Sequence, residues 1–455
     1  MNDITAFFAF LRYCLGYKGD MSRGVASMDW QMLYSFASKQ ALLGLCFEGI
    51  ERLGEEYPEE LRLNPIGREL LMTWMGKALQ IRRQNRKVNA VAGKLFDMLR
   101  EDGMRCCVLK GQGNALMYPN PYSRTPGDVD VWIDDSRERI LEYAQKKFEL
   151  GDDIRLQHLE TSLDGVPVEL HFFPCSMNNP IYHARLQKWF RRNADLQCSH
   201  IVGLPDGAGD IAIPTTAFNV IYQLTHLYHH FFDEGIGMRQ IIDYFLVVND
   251  FSKNVFLNND LSNPSVNFSN HPVPLSKEGS TFSPSPSSSG SGDVTAPSRC
   301  SEPLRSKDGG PSKVSPDCAG WDRLAIEGDN SATAVTSSAS SALVVVQREL
   351  KYLGLWKFAG AVMYVLHETL GLSEEKMIAP MDETRGKLLL AEILNGGNFG
   401  RHFTKYGHFT QQGMAKKYFL KIWRNMHFVR YFPAEALSEP IFRTWHFFWR
   451  LKHRR

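Results

Sequence analysis

Two carboxylates stand one residue apart in Gly127-Asp128-Val129-Asp130-Val131, on an apolar segment and directly after a glycine. On a strand, residues two apart share a face, so Asp128 and Asp130 project to one side while Val129 and Val131 enter the core. Carboxylates held that close repel each other. A divalent cation is the usual relief, and Mg2+ favours one or two carboxylates together with phosphate oxygens and water. The pair therefore points to phosphate chemistry rather than to acid–base work alone. An Asp-x-Asp motif is by itself common at a polar strand edge or turn, but here apolar residues alternate on both sides, which speaks against a surface turn.

Two further segments belong with it. Lys110-Gly111-Gln112-Gly113 follows the apolar run ending at Leu109; its glycines allow close backbone approach, and its ammonium can meet a phosphate. Alone this is a weak signal, since glycines and a lysine after a strand are common. In Val168-Glu169-Leu170-His171 the glutamate is flanked by apolar residues and His171 shares its face. An isolated strand glutamate is ordinarily a solvent-facing residue. Beside Asp128 and Asp130, Glu169 would complete a three-carboxylate site able to hold two ions, a clamp suited to in-line phosphoryl or nucleotidyl transfer.

The order of these features resembles the nucleotidyltransferase superfamily of the DNA polymerase beta type: a strand ending in Leu109-Lys110-Gly111, then Arg124-Thr125-Pro126-Gly127-Asp128-Val129-Asp130-Val131, then Val168-Glu169-Leu170-His171. It is most similar to the uncharacterised bacterial nucleotidyltransferase branch, over a span from about Val88 to Asp243 that ends with Gly235-Ile236-Gly237-Met238-Arg239 to Asp243. The resemblance implies that Asp128 and Asp130 bind Mg2+ (or Mn2+), with Glu169 as third carboxylate, positioning or deprotonating an acceptor hydroxyl. It further implies that Lys110, Gly111, Gln112 and Arg124 meet an NTP substrate, ATP foremost; a guanidinium fork matches phosphate oxygens. The superfamily commonly has Gly-Ser after its first strand, where Lys110-Gly111-Gln112 stands here.

Other residues carry two readings each. His226 and His230 lie four apart on an expected helix, a spacing that can bind zinc, but no HExxH accompanies them and a structural or substrate-facing role is favoured. Arg239 and Asp243 either reach the site or form an ion pair at a helix–helix turn. His158, before the last core strand, resembles a family position, with a surface histidine as the default. The basic run Arg82-Arg83-Gln84-Asn85-Arg86-Lys87 reads as a solvated helix face rather than a phosphate surface. The basic, aromatic end from Trp445 to Arg455 reads as a helix packing its aromatics on the body, ahead of docking on headgroups or nucleic acid.

The elements that must position these residues make an α+β fold, a small mixed nucleotidyltransferase-like sheet flanked by helices with helical N- and C-terminal regions. Apolar residues at helical spacing (Ile4, Phe7, Phe8, Leu11, Leu15) open a helical region over 1–102 that ends in a long helix from about Gly67 to Glu101. The catalytic core spans 103–213. Strands are predicted from Arg105 to Leu109, Asp128 to Ile133, Asp153 to Glu160 and Val166 to Phe172, the last two joined at Asp164-Gly165, with a further pair around Gly203 to Gly209 and Ser136 capping a helix through Phe148. Helices over 214–251 form part of an acceptor region. From 252 to 341 the chain is rich in Ser, Pro, Gly and Asn and cannot bury enough apolar surface to offset the entropy of ordering, so a disordered insertion is expected. Helices resume over 342–455.

Composition narrows the function classes. Of 455 residues 43% are hydrophobic and 22% charged, with a net charge of +2, so nothing global calls for nucleic acid or a membrane surface. The eight cysteines are scattered without metal-like spacing and read as reduced thiols of a cytoplasmic protein. No signal peptide and no stretch of eighteen uncharged apolar residues is evident. The expected reaction is Mg2+-dependent transfer of a nucleoside monophosphate from an NTP to a hydroxyl of an acceptor whose identity the sequence does not carry. Two alternatives remain: a metal-dependent phosphoester hydrolase on the same site, and a non-catalytic nucleotide-binding or interaction protein that retains the fold.

Overall fold

Val129, Val131 and Ile133 alternate with Asp130 and Trp132 on a strand buried along its whole length, and this strand is the centre of the molecule's main sheet. A computed structural model describes residues 2–150, 155–257, 335–402 and 414–453. Among these, β1 (Cys106–Leu109), β2 (Val129–Ile133), β3 (His158–Leu163) and β4 (Val166–His171) form a sheet in the order β1-β2-β4-β3. β1 is antiparallel to β2, β2 is parallel to β4, and β3 and β4 are an antiparallel hairpin. Asp164 and Gly165 both take positive φ (49° and 70°), as a two-residue hairpin turn requires. A separate ribbon pairs β5 (Ile201–Gly203) with β6 (Asp210–Ala212) around the expected turn.

The sheet is thus mixed and helix-flanked, as expected. One detail differs: β3 begins at His158 rather than near Asp153. Arg155 donates its backbone N–H to the His158 carbonyl, closing a turn, and the Gln157 side chain is spent on the Pro174 carbonyl. Residues 153 and 154 lie outside the described residues.

Alternation gives the sheet two different faces. Val129, Val131, Val168 and Leu170 join one core with Val88, Val91, Leu95 and Leu99 of the helix Arg68–Glu101 and with Ile140 and Ala144 of the helix Arg137–Lys147, whose N-cap is Ser136. On the other face Leu109 and Trp132 enter a larger helical core, where Trp132 stacks on Phe218 of the helix Thr216–Asp233 at 6.2 Å. Asp130, Glu169 and His171 sit on that second face, since the register sets Asp130 beside Glu169 and Trp132 beside His171. The functional face is therefore roofed by the helix Thr216–Asp233.

Two glycines let neighbouring backbone close on this region. A Cβ on Gly44 would lie 2.3 Å from the carbonyl oxygen of Ser123, so only glycine allows the helix Leu43–Glu56 to abut the chain just before Arg124. A Cβ on Gly237 would lie 2.7 Å from Cα of Asn398, and this approach brings Phe399 to the turn before the helix Met238–Leu257.

The helices after the expected insertion pack on the same body. Tyr228, Phe231 and Phe232 meet Phe358, Phe428 and Phe432 in an aromatic cluster, with Phe231 and Phe428 4.6 Å apart. Buried Arg424 and Asn425 donate to the carbonyls of Phe231 and Phe232, satisfying acceptors in the last turn of the helix Thr216–Asp233 that have no intrahelical donor. The expected insertion lies mainly outside the described residues, from 258 to 334; its edges, 252–257 and 335–341, belong to helices. No helix among the described residues is long and apolar enough to cross a membrane. On the helix Pro433–His453, Trp449 packs against the Arg137 guanidinium at 5.3 Å, as expected, whereas Trp445, Phe447 and Phe448 stay half exposed or more.

Glu435, near the start of that helix, is 1% exposed and accepts the backbone N–H groups of Asn178 (2.5 Å) and Asn179 (3.2 Å). Burial pushes its carboxyl up from 4.5 to about 7, more than the two N–H groups hold it down, and the nearby Glu439 adds to the rise. Between those values the unfolded chain has lost this proton and the folded chain keeps it, so stability falls as pH rises from about 4.5 to about 7. Relative to Glu435→Gln, the wild type should lose on the order of 3 kcal/mol across that window, with no further divergence above it, in urea melts run at a series of pH values.

Candidate functional site

β1 ends at Leu109, and the chain turns sharply at Lys110 and Gly111, both at positive φ (43° and 44°). For a lysine this backbone is strained, and it is held because the side chain has strong partners. Lys110 Nζ lies 3.0 Å from Asp130 Oδ1 and 2.9 Å from His226 Nε2. Burial works against its charge, but Asp130, Asp128 and Glu169 outweigh it and raise its pKa. Gln112 points elsewhere: it is buried and donates to Asn89 of the long helix, so its side chain does not face the cavity described below.

The carboxylates gather as the register demands. Ligand oxygens of Asp128, Asp130 and Glu169 all lie within 4.8 Å of one another, a spacing that fits divalent cations held among them. Within the protein the opposing charge comes from Lys110 and from His171, whose Nε2 is 3.1 Å from both Asp130 Oδ1 and Glu169 Oε2. Burial disfavours a charged His171, yet these two bonds prevail and raise its pKa to about 9. Burial likewise opposes ionisation of Glu169, but the hydrogen bond and charge of His171 prevail and hold it at about 2. His158, on the neighbouring strand, is driven down to about 3 by burial and then by the charge of His171.

Guanidinium groups line the opposite side. Arg124 is buried and bidentate to Asp243, with Nε and Nη2 each 2.8 Å from a carboxylate oxygen, while Tyr118 donates to the same carboxylate at 2.8 Å. Burial disfavours both charges of this pair, but their mutual attraction raises the Arg124 pKa and lowers that of Asp243. Arg124 is thereby already neutralised. Arg239 is not: it is 8% exposed, donates through Nη1 to the Thr125 carbonyl at 3.0 Å, and its buried Nε has no hydrogen-bond partner. Among the described residues no carboxylate comes within 4.0 Å of its guanidinium, and burial followed by the repulsion of Arg124 lowers its pKa.

These groups surround one cavity. Lys110, Gly111, Asp128 and Asp130 line it on the sheet side, Gln223 and His226 from the helix above, and Arg124, Arg239, Asp243 and Phe399 on the far side. The loop before Asp128 is fixed from below by Asn85, whose amide donates to the carbonyls of Tyr122 and Arg124. A cluster of metal-fitting carboxylates thus faces an uncompensated buried cation across a space open to a ligand.

A family model described as "Uncharacterised nucleotidyltransferase" matches residues 26–262, more than half of the chain. The chain belongs to this nucleotidyltransferase family. The match extends well beyond the span of about Val88 to Asp243 on which the motifs are read, taking in N-terminal helices from residue 26. No curated protein and no solved structure matches the chain.

Within the nucleotidyltransferase fold, the residues expected from the sequence divide by position. Asp128, Asp130, Glu169, His171 and His158 come together, and Lys110 joins them as a counter-charge. Arg239 and Asp243 both line the cavity, but they do not form the ion pair considered for their turn, since Asp243 pairs with Arg124 instead. His226 and His230 join through their Nε2 atoms at 3.1 Å, both kept neutral chiefly by burial, and no third metal-ligating group accompanies them among the described residues. The basic run on the long helix is surface: Arg82 pairs with Glu48 at 2.8 Å and Arg86 with Asp206 at 3.4 Å. Sequence reasoning did not find Tyr118, Gln223 or Phe399, nor Asn114, which lines the cavity and exchanges amide hydrogen bonds with Gln223. Gln223 left a trace, a polar residue three before His226 in the apolar run from Val220 to Leu224; Phe399 left none, because it arrives from the C-terminal region.

The charge balance separates two kinds of carboxylate. In EDTA, Asp243→Ala leaves Arg124 buried and unpaired and should cost about 3–5 kcal/mol in a urea melt. Under the same conditions Asp128→Asn, which reduces repulsion at the cluster, should stay within about 1 kcal/mol of wild type or gain stability. Equal losses in both variants would contradict this division.

Proposed function

We propose that this protein transfers a nucleoside monophosphate from an NTP, ATP foremost, to a hydroxyl of an acceptor bound against the helices after Thr215, the α–β phosphoanhydride bond breaking and pyrophosphate leaving. The observation that carries the reading is the juxtaposition, in a chain of the nucleotidyltransferase family, of Asp128 and Asp130, clustered with Glu169, with Lys110 and the unpaired Arg239 around one cavity. Asp128, Asp130 and Glu169 are the residues that would hold Mg2+ or Mn2+. Bound there, the ion supplies neutralisation of phosphate charge and acidification of an acceptor hydroxyl.

The chain's own residues do the rest. Lys110, anchored on Asp130 and His226, presents an ammonium at the turn after β1, where phosphate oxygens can also reach the backbone around Gly111. Arg239 offers the guanidinium that lacks an internal carboxylate, so it rather than Arg124 is the side chain to meet transferring phosphate. Arg124 instead holds Asp243 and the loop entering β2, a positioning role. Glu169, ionised down to about pH 2, is suited to keeping a cation and an acceptor O–H in place rather than to storing a proton. Catalysis on this plan is positioning and fixed electrostatics. The six cysteines among the described residues are free, in keeping with a reducing, cytoplasmic setting.

The test is incubation of the purified protein with each α-labelled NTP and Mg2+ in a cell extract, followed by detection of labelled adduct. Product should appear with wild type and fall by at least about a hundredfold with Asp128→Ala plus Asp130→Ala. Arg239→Gln should lower product formation about tenfold or more with its melting temperature kept. Labelled free monophosphate in place of adduct would favour hydrolysis, and no carboxylate-dependent product of either kind would leave the transferase reading without support.

A further inference from the structure

Glu169 belongs to a second group of metal-ligating side chains besides the three-carboxylate cluster. Ligand atoms of His158, Glu169 and His171 also lie within 4.8 Å of one another. The pairing of β3 with β4 sets His158 directly opposite His171, and Glu169 lies two residues before His171 on the same face. The two imidazoles are 5.0 Å apart between ring centroids.

We infer that His158, Glu169 and His171 form a binding site for a transition-metal cation of the Zn2+ class, distinct in ligand chemistry from the all-carboxylate cluster beside it. Geometry is the first support. His171 Nε2 is 3.1 Å and His158 Nδ1 3.4 Å from Glu169 Oε2. Ligands about 2.05 Å from a tetrahedral zinc ion stand about 3.3 Å apart, so both separations already match the edge of such a polyhedron.

Unmet hydrogen bonding is the second support. The side chain of His158 is only 12% exposed, yet neither ring nitrogen makes a hydrogen bond. A buried imidazole with both nitrogens unmet is costly unless something else satisfies it. Nδ1 faces Glu169 and Nε2 lies 3.8 Å from Glu160, too far for a bond. An ion between His158, His171 and Glu169 would meet Nδ1 of His158, displace to solvent the proton that His171 Nε2 holds against Asp130 and Glu169, and take over its counter-charge there.

Ligand type then selects the ion. Two imidazoles and one carboxylate suit Zn2+, Co2+ or Ni2+, whereas Mg2+ prefers the all-oxygen set of Asp128, Asp130 and Glu169. Three protein ligands leave a fourth position open, the arrangement of zinc sites that engage water or substrate rather than purely structural ones. Because Glu169 serves both groups, its carboxylate can bridge a transition-metal ion and a neighbouring Mg2+.

The experiment uses the full chain without nucleotide, so it is independent of whether nucleotidyl transfer occurs. Protein stripped with EDTA is dialysed against Zn2+ in the presence of millimolar Mg2+, and bound metal is counted. Wild type and Asp128→Asn should each retain one equivalent of zinc, while His158→Ala binds at least tenfold more weakly. Co2+ in place of zinc should give the intense visible absorption of a four-coordinate, imidazole-ligated ion. Absence of stoichiometric zinc in wild type overturns the proposal, as does retention in His158→Ala or loss in Asp128→Asn equal to that in His158→Ala. Should His158→Ala fail to fold, the wild-type Co2+ spectrum decides: weak, six-coordinate, all-oxygen absorption rejects the site.

Discussion

The parallel pairing of β2 with β4 sets Asp130 beside Glu169, and most of what surrounds the site answers that one juxtaposition. Two carboxylates on adjacent strands of a buried sheet face repel each other at short range, and low polarity strengthens the repulsion. The fold meets it with cations brought from different elements. Lys110 comes from the end of β1 through a strained turn, and His171 comes from β4 itself, one pleat further on. Neither is a free charge: each is fixed by a carboxylate at its side. The strain at Lys110 is intelligible on this footing, because relaxing the turn would withdraw the ammonium from Asp130.

On the far side of the cavity the same physics sorts two arginines that look alike in sequence. Arg124 and Arg239 are both buried and both near Thr125, but only Arg124 has a bidentate carboxylate, and Tyr118 locks that carboxylate from behind. The pair therefore contributes rigidity to the loop that carries Asp128 and adds little net charge to the cavity. Arg239 contributes the charge. A buried guanidinium without an anion is held in place by the surrounding fold rather than by its own interactions, and it favours any anionic group that enters.

Much of this was legible in the sequence where local pattern and local chemistry agree. The Val-Asp-Val alternation, the Asp164-Gly165 turn and the Ser136 cap each have a short-range cause, and each stands where periodicity or turn chemistry puts it. Glu169 could be linked to Asp130 only through the order of motifs, because a parallel pairing across thirty-odd residues has no local signal. The neutralisation of Arg124 was beyond reach for a similar reason: nothing near Arg124 announces Asp243 as its partner. The start of β3 was misplaced because Arg155 to Gln157 are compatible with a strand, and tertiary hydrogen bonds decided against it.

Phe399 marks where the motif-bearing span ceases to describe the site. The carboxylates, Lys110 and Arg239 all fall within residues 26–262, whereas Phe399 lies beyond, in a short turn entered through Gly397 at positive φ. It reaches the cavity because Gly237 admits Asn398 and because Gln40 ties the two sides together, accepting the N–H of Met238 at 2.8 Å and donating to the Ile393 carbonyl at 3.2 Å. One N-terminal side chain thus clamps the turn that carries Arg239 against the C-terminal helix that delivers Phe399, whose ring lies 5.5 Å from the Arg239 guanidinium. A ring at that distance favours the cation without neutralising it, unlike a carboxylate. The C-terminal region therefore steadies the Arg239 cation, which among the described residues has no carboxylate partner, while leaving its charge available to what binds there.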